Sequence, residues 1–258
     1  MNTPQNTCAS NPIFKDLFSH DSRSYSKHRP GYPESLFSYL ASISHPQQAW
    51  DCATGSGQSA IRLAKYFQSV IATDASESQI KSAQKRDNIR YYAATADKSA
   101  IQSKSIDLIT VAQALHWFDI PAFTTEIARI LKTRGILAVW SYNLLTVRPD
   151  IDMHINHLYG SILNQYWPAE RKIVENGYKS VNFPFVELSV PRFHMSAEWT
   201  LEQLISYLST WSAVNAYITR NNQNPVDLIY HELRQSWGNI KTKRAVAWPL
   251  TVRVWQKS

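Results

Sequence analysis

The sequence predicts an α/β fold with a doubly wound, mainly parallel sheet, and three observations carry that prediction. Ala49-Trp50-Asp51-Cys52-Ala53 is an apolar run holding a carboxylate that passes straight into the small-residue loop Thr54-Gly55-Ser56-Gly57. A helical stretch follows, and a second apolar run, Val70-Ile71-Ala72-Thr73, again meets an acid, Asp74. Apolar runs and helix-period stretches then keep alternating as far as Tyr142, the pattern of βαβ units whose sheet is covered on both faces.

Taken in order, Pro33 opens a helix whose apolar face is Leu36, Leu40 and Ile43. The first strand spans 49–53, and its following helix buries Ala60, Ile61, Ala64 and Phe67. The second strand covers 70–73, and Ser76-x-x-Gln79 reads as a capping box that starts the next helix. Strands are expected over 89–93, 106–112 and 136–140, with a helix over 121–131 before the last of them. Past Tyr142 the pattern changes. Residues 149–176 read as helical and rich in aromatics, 185–193 as a strand and 201–208 as a helix. Leu250-Thr251-Val252-Arg253-Val254-Trp255 is a period-two strand, with Pro249 expected at its start because a paired interior position needs its N–H.

A chain of 258 residues with 44% hydrophobic and 18% charged residues has the composition of a folded globular protein with a sizeable core. No apolar run reaches the ~18 residues of a membrane span. The first residues lack the basic start and apolar stretch of a secretory signal. Two cysteines, Cys8 and Cys52, do not suggest a disulfide framework, so a cytoplasmic protein is expected. The formal charge of +7 raises nucleic acid as a partner, but the basic residues are scattered and the densest group is Lys241-Thr242-Lys243-Arg244. Metal is not expected, since His154 and His157 stand without nearby cysteine or an acidic partner pattern.

The glycine loop implies a nucleoside-containing ligand. Gly55-x-Gly57-x-x-Ala60 fits the relaxed dinucleotide fingerprint, and Asp74 is placed to accept from ribose hydroxyls. Asp51 argues against a dinucleotide, because a carboxylate before the turn would repel a pyrophosphate. It suits a ligand that carries an ammonium and a sulfonium and no phosphate, which describes S-adenosylmethionine.

At this point the residues resemble a known family. Phe14-Lys15-Asp16-Leu17-Phe18, Arg29-Pro30-Gly31-Tyr32-Pro33, the glycine loop, Asp74-Ala75-Ser76, the block 107–118 ending Leu115-His116-Trp117-Phe118, Leu137-Ala138-Val139-Trp140-Ser141-Tyr142 and Thr210-Trp211-Ser212-Ala213 stand in family order. The chain resembles class I S-adenosylmethionine-dependent methyltransferases, in the small-molecule group similar to trans-aconitate and ubiquinone-pathway (type 11) enzymes. The resemblance implies a Rossmann-like sheet of five parallel strands plus an antiparallel C-terminal strand pair. It also implies a lid over 143–184 and 194–243, and a flap over 1–33 that folds over the cofactor, ahead of a methyltransferase domain over 34–258.

The sequence departs from the family at two places. Ala53 stands where a first loop glycine is usual, and Lys132-Thr133-Arg134-Gly135 replaces a Lys-Pro-Gly-Gly turn, leaving Gly135 to take positive φ.

Carried over residue by residue, cofactor contacts are expected from Tyr25, Arg29, Asp51, Ala53, Gly55, Gly57, Asp74, Ala75, Ala96, Asp97 and Gln113. Asp97 and the backbone of Ala96 fall to the adenine, and Arg29 to the methionine carboxylate. The substrate pocket is expected from His116, Trp117, Trp140, Tyr142 and Trp211, with His116 as the base if one is needed. The expected reaction is methyl transfer to a small molecule, with the oxygen of a carboxylate or hydroxyl as acceptor. Arg29 or Arg148 could pair with an acidic acceptor. RNA or protein methylation from the basic surface, and cofactor binding without turnover, are the rival readings.

Overall fold

The computed structural model describes residues 30–258. Tyr25, Arg29 and the expected flap, apart from its last positions 30–33, lie outside the described residues.

The sheet is built from β1 (Gln48–Cys52), β2 (Ser69–Asp74), β3 (Ile89–Ala93), β4 (Ile106–Ala112) and β5 (Leu131–Tyr142), parallel in the order β3-β2-β1-β4-β5. The chain order reverses between β1 and β4, which makes their carboxyl ends the crevice where open α/β sheets take ligands. Helices α1 (Glu34–Ser42), α2 (Gln58–Leu63), α3 (Glu77–Ser82) and α4 (Ile120–Ile130) flank it. Two apolar clusters cover its faces. One centres on Leu36, Phe37, Leu40 and Trp140, and the other on Trp50, Ile109, Phe123 and Ile127. Ser76 caps α3 by accepting from Gln79 N at 3.4 Å, but the expected capping box is not completed, because Ser76 N donates to Asp74 and not to the Gln79 side chain; Asp119 caps α4 by accepting from Ala122 N.

The later part of the chain differs from expectation in its strands. The expected strand over 185–193 is instead the short β6 (Val186–Leu188), and a further strand, β7 (His194–Trp199), follows it. β8 (Arg244–Gln256) starts well before Leu250 and pairs antiparallel with β7, β5 and β6 in turn. Pro249 therefore sits inside a strand. It is tolerated because β8 changes partner there: Pro249 lies opposite His194 of β7, and Leu250 opposite Tyr142 of β5. The missing N–H falls at the changeover, while the Pro249 carbonyl accepts from Asn143 N at 3.1 Å.

The aromatic stretch over 149–176 is not one helix. It divides into α5 (Pro149–His157), a π-turn (Leu158–Ile162), a 3-10 turn (Asn164–Tyr166) and α6 (Arg171–Glu175). With β7, α7 (Leu201–Ser209), α8 (Ser212–Asn221), α9 (Asp227–Trp237) and the first half of β8, it encloses a third apolar cluster around Leu158, Leu204, Trp211, Leu233 and Trp248. Thr200 and Gln203 form a complete capping box on α7.

The turn before Gly135 also differs. β5 begins at Leu131, and Arg134 (φ 63°), not Gly135, takes the left-handed conformation. Gly135 is required for space: a Cβ there would lie 2.9 Å from both the Leu131 side chain and the Lys132 carbonyl. Gly135→Ala should therefore lower unfolding stability by about 1–3 kcal/mol through overpacking. Denaturant melting that matches the wild type would show that the backbone opens there without cost.

Candidate functional site

The loop after β1 is fixed from three strands. Asp51 is 1% exposed and lies beneath the loop, not on its surface. It accepts from the Thr54 hydroxyl at 2.5 Å and from the Thr110 hydroxyl of β4 at 2.8 Å. Thr54 N donates to Thr73 O of β2 at 2.9 Å. At the end of β2, Asp74 accepts from Gly55 N at 2.8 Å and from Ser76 N at 2.9 Å, so it braces the loop. A carboxylate oxygen has room for further donors, which leaves ribose hydroxyls compatible with this geometry.

Ala53, Gly55 and Gly57 all have positive φ, at 55°, 55° and 87°. The alanine is thus a larger departure than its size implies, because its Cβ sits in the left-handed region. Packing alone also constrains Gly57: a Cβ there would lie 2.5 Å from the Tyr91 hydroxyl of β3. Tyr91 is itself held by donating to Gln84 O at 3.0 Å.

Electrostatically the loop is unbalanced. Burial pushes the Asp51 carboxyl up to about 6, against the pull of the Thr54 and Thr110 hydroxyls and the Ala60 backbone, and the nearby Asp74 charge adds to the rise. No cationic side chain among the described residues pairs with Asp51.

Ala75 follows Asp74 half-buried, and Ala96 and Asp97 lie in the loop after β3. That loop is pinned where Ser99 donates from N and Oγ to Glu126 of α4, at 3.0 and 2.5 Å. Arg129 holds the same carboxylate with two contacts of 2.8 Å.

A cleft opens between the ends of β4 and β5 and the helical lid, lined in part by Gln113, His116, Trp117, Tyr142, Arg171 and Trp211. Trp140, expected among them, is absent. It is 0% exposed in the core and meets the Phe37 and Tyr32 rings edge-on. Gln113 (φ 55°) spends its amide on β5, accepting from Tyr142 N at 2.8 Å. His116 lies in the 3-10 turn Leu115–Trp117 after β4. Its Nδ1 is 3.0 Å from the Tyr178 hydroxyl, and burial, reinforced by Arg171, holds the ring at a pKa of about 4. The ring is therefore neutral at physiological pH, and a weaker base than a free histidine.

Arg148 is not at the cleft: it pairs with Asp150 at 2.6 and 2.7 Å and donates to Ser236 O. Arg171, which no sequence signal marked, is there instead. Its guanidinium stands over the Trp167 ring at 5.1 Å, with Nε donating to the Tyr159 hydroxyl at 2.9 Å. Its Nη groups have no hydrogen-bond partner among the described residues. Among those residues no group of three or more His, Cys, Asp or Glu is arranged to hold a metal, and no helix is long and apolar enough to cross a membrane.

Residues 50–139 match the methyltransferase domain family. A Dictyostelium discoideum protein named as a methyltransferase is 36% identical over 229 residues, covering 87% of each chain. A Saccharomyces cerevisiae protein named as an S-adenosylmethionine-dependent methyltransferase is 23% identical, covering 83% of this chain and 87% of its own. The solved structure of a type II methyltransferase from Anaeromyxobacter dehalogenans is 36% identical with a TM-score of 0.83, covering 88% of this chain and 97% of that one. The chain belongs to the class I S-adenosylmethionine-dependent methyltransferases.

The strained loop alanine makes a prediction. Ala53→Gly should raise stability by about 1 kcal/mol, the net of relieved left-handed strain and lost chain stiffness. A lower melting temperature in the variant would show that φ at this position is set by something other than the loop.

Proposed function

We propose that this methyltransferase moves the methyl group of S-adenosylmethionine to an oxygen of a small organic acid whose apolar body enters the aromatic cleft. The observation that carries the reading is Arg171, a cation whose Nη donors have no partner among the described residues, in a wall that includes the rings of Trp117, Tyr142, Trp167 and Trp211. A planar fork of N–H donors suits a carboxylate, and the rings suit the apolar remainder.

Family membership implies S-adenosylmethionine as cofactor, and the residues fit it. Asp51 offers a buried negative charge with no partner cation among the described residues, as suits a ligand bearing a sulfonium and an ammonium. Asp74 would accept from the ribose hydroxyls, Ala96 and Asp97 would border the adenine, and Gly55, Gly57 and Ala75 would border the remainder. When bound, the sulfonium supplies an already activated methyl group.

The protein's own task is then positioning and exclusion of water. Arg171 fixes the acid, Trp117, Tyr142 and Trp211 set the plane of its body, and the lid elements close the cleft from above. A carboxylate oxygen is nucleophilic without losing a proton, so this acceptor requires no base of ordinary histidine strength. The position of the cleft between the sheet and a packed lid supports a small-molecule acceptor over nucleic acid.

Incubating the enzyme with labelled S-adenosylmethionine and matched panels of small acids, alcohols and amines should give methyl esters from acids with apolar bodies. Arg171→Leu should raise the acid's KM by about 10- to 100-fold, the loss of a charge-assisted hydrogen bond, with cofactor affinity unchanged. Equal turnover of alcohols that lack a carboxylate, or an unaltered KM in the variant, would contradict the proposal.

A further inference from the structure

The structure assigns Tyr178 a positioning role: it holds His116 with its ring proton on Nε2, so that His116 donates a hydrogen bond to the acceptor and does not serve as a base. The inference rests on the reading that the cleft receives the methyl acceptor, but its geometry stands apart from that acceptor's identity.

The proton placement follows from counting partners around one oxygen. Buried Tyr178 Oη has one hydrogen-bond partner among the described residues, His116 Nδ1, and if that nitrogen donated, the phenol's own proton would be buried without an acceptor. The phenol's own proton is then directed to the acceptor beside it, His116 Nδ1, at 3.0 Å. The two rings lie nearly parallel, 21° apart. A neutral imidazole whose Nδ1 accepts must carry its single proton on Nε2. Nε2 has no hydrogen-bond partner among the described residues, and His116 lines the cleft.

The fold invests in holding Tyr178 in place. Its φ is +59°, in the left-handed region that an aromatic residue rarely adopts. It is buried, its N–H donates to Ile173 O at 3.0 Å, and its carbonyl accepts from Arg253 Nη1 at 2.5 Å. Arg253 also donates to Val181 O at 2.6 Å and is gripped by Glu187 with contacts of 2.8 and 2.9 Å. A backbone conformation this unfavourable, fixed from two strands and aimed at a cleft residue, is the kind of strain that persists at functional sites. The brace fixes the backbone from which the phenol reaches Nδ1.

With Nε2–H and the Arg171 Nη groups, these two cleft side chains both present donors. Together they suit an acceptor rich in lone pairs and disfavour a protonated amine.

The tautomer can be read without any acceptor. In long-range nitrogen–proton spectra of protein labelled with 15N-histidine, the His116 signals are those missing from His116→Gln. Wild type should show a protonated Nε2 and an unprotonated Nδ1, and Tyr178→Phe should show a mixture of tautomers. A protonated Nδ1 in the wild type, or the same single tautomer in Tyr178→Phe, would overturn the inference. Activity supplies a second arm, since a Gln amide keeps an N–H near the Nε2 position. On a methylated acceptor, His116→Gln should retain at least about 10-fold more kcat/KM than His116→Leu, the worth of one buried hydrogen bond. Equal loss in both would show that proton abstraction, not donation, is what His116 supplies. If no acid is methylated at all, the proposed acceptor class fails while the spectra still decide the tautomer.

Discussion

The buried carboxylate of Asp51 is the constraint around which the site is arranged. Its two oxygens join the glycine loop to β4 through Thr54 and Thr110, so one side chain spans the point where the strand order reverses. Removing a carboxylate from water without a counter-ion is costly, and the fold bears that cost here in a buried position. Ala49 and Ala72, on the same face of the sheet, belong to the apolar cluster on that side. Such a site is a poor device for stability and a good one for attracting positive charge. The neighbouring features follow from the same demand: a loop of left-handed residues that wraps the carboxylate, and a second acid, Asp74, that braces the loop from β2.

The cleft is shared between two packed bodies. The sheet contributes Gln113, His116, Trp117 and Tyr142 from the ends of β4 and β5, and the lid contributes Arg171 and Trp211. The lid has its own apolar cluster, tied to the sheet through Tyr142 and the continuous strand β8. Tyr32 touches both Trp140 and Tyr142, so the stretch before α1 packs where core and cleft meet.

The parallel half of the fold was legible in the sequence because periodicity and turn chemistry act locally. β1 to β4 and α1 to α4 fall where apolar spacing, Ser76 and the small-residue loop put them, and β5 contains its expected core with extensions at both ends. What was hidden depended on partners far away in sequence. β7 carries Glu and His among its apolar positions and is a strand because β8 pairs with it, and Pro249 is admissible only because β8 changes neighbours at that residue. Trp140 and Tyr142 are indistinguishable by type and spacing, yet Phe37 fills the space beside the first while the second borders the cleft. Arg134, not the expected Gly135, takes positive φ, and Gly135 is required because close packing by Leu131 leaves no room for a Cβ. Arg171 belongs to no motif, and only the turn that stacks it on Trp167 identifies it.

The central claim is that Asp51, a buried carboxylate with no partner cation among the described residues, takes a cationic ligand, and the proton balance of cofactor binding tests it. A carboxyl held near a pKa of about 6 is partly protonated at that pH, and a bound cation favours its ionised form. The complex then holds fewer protons than the free protein, so binding releases protons and tightens as pH rises through that value. Calorimetric titration of S-adenosylmethionine near pH 6, in buffers of different ionisation enthalpy, should give heats that vary with the buffer. The dependence should vanish in Asp51→Asn. Heats independent of buffer in the wild type, or the same dependence in the variant, would contradict the account.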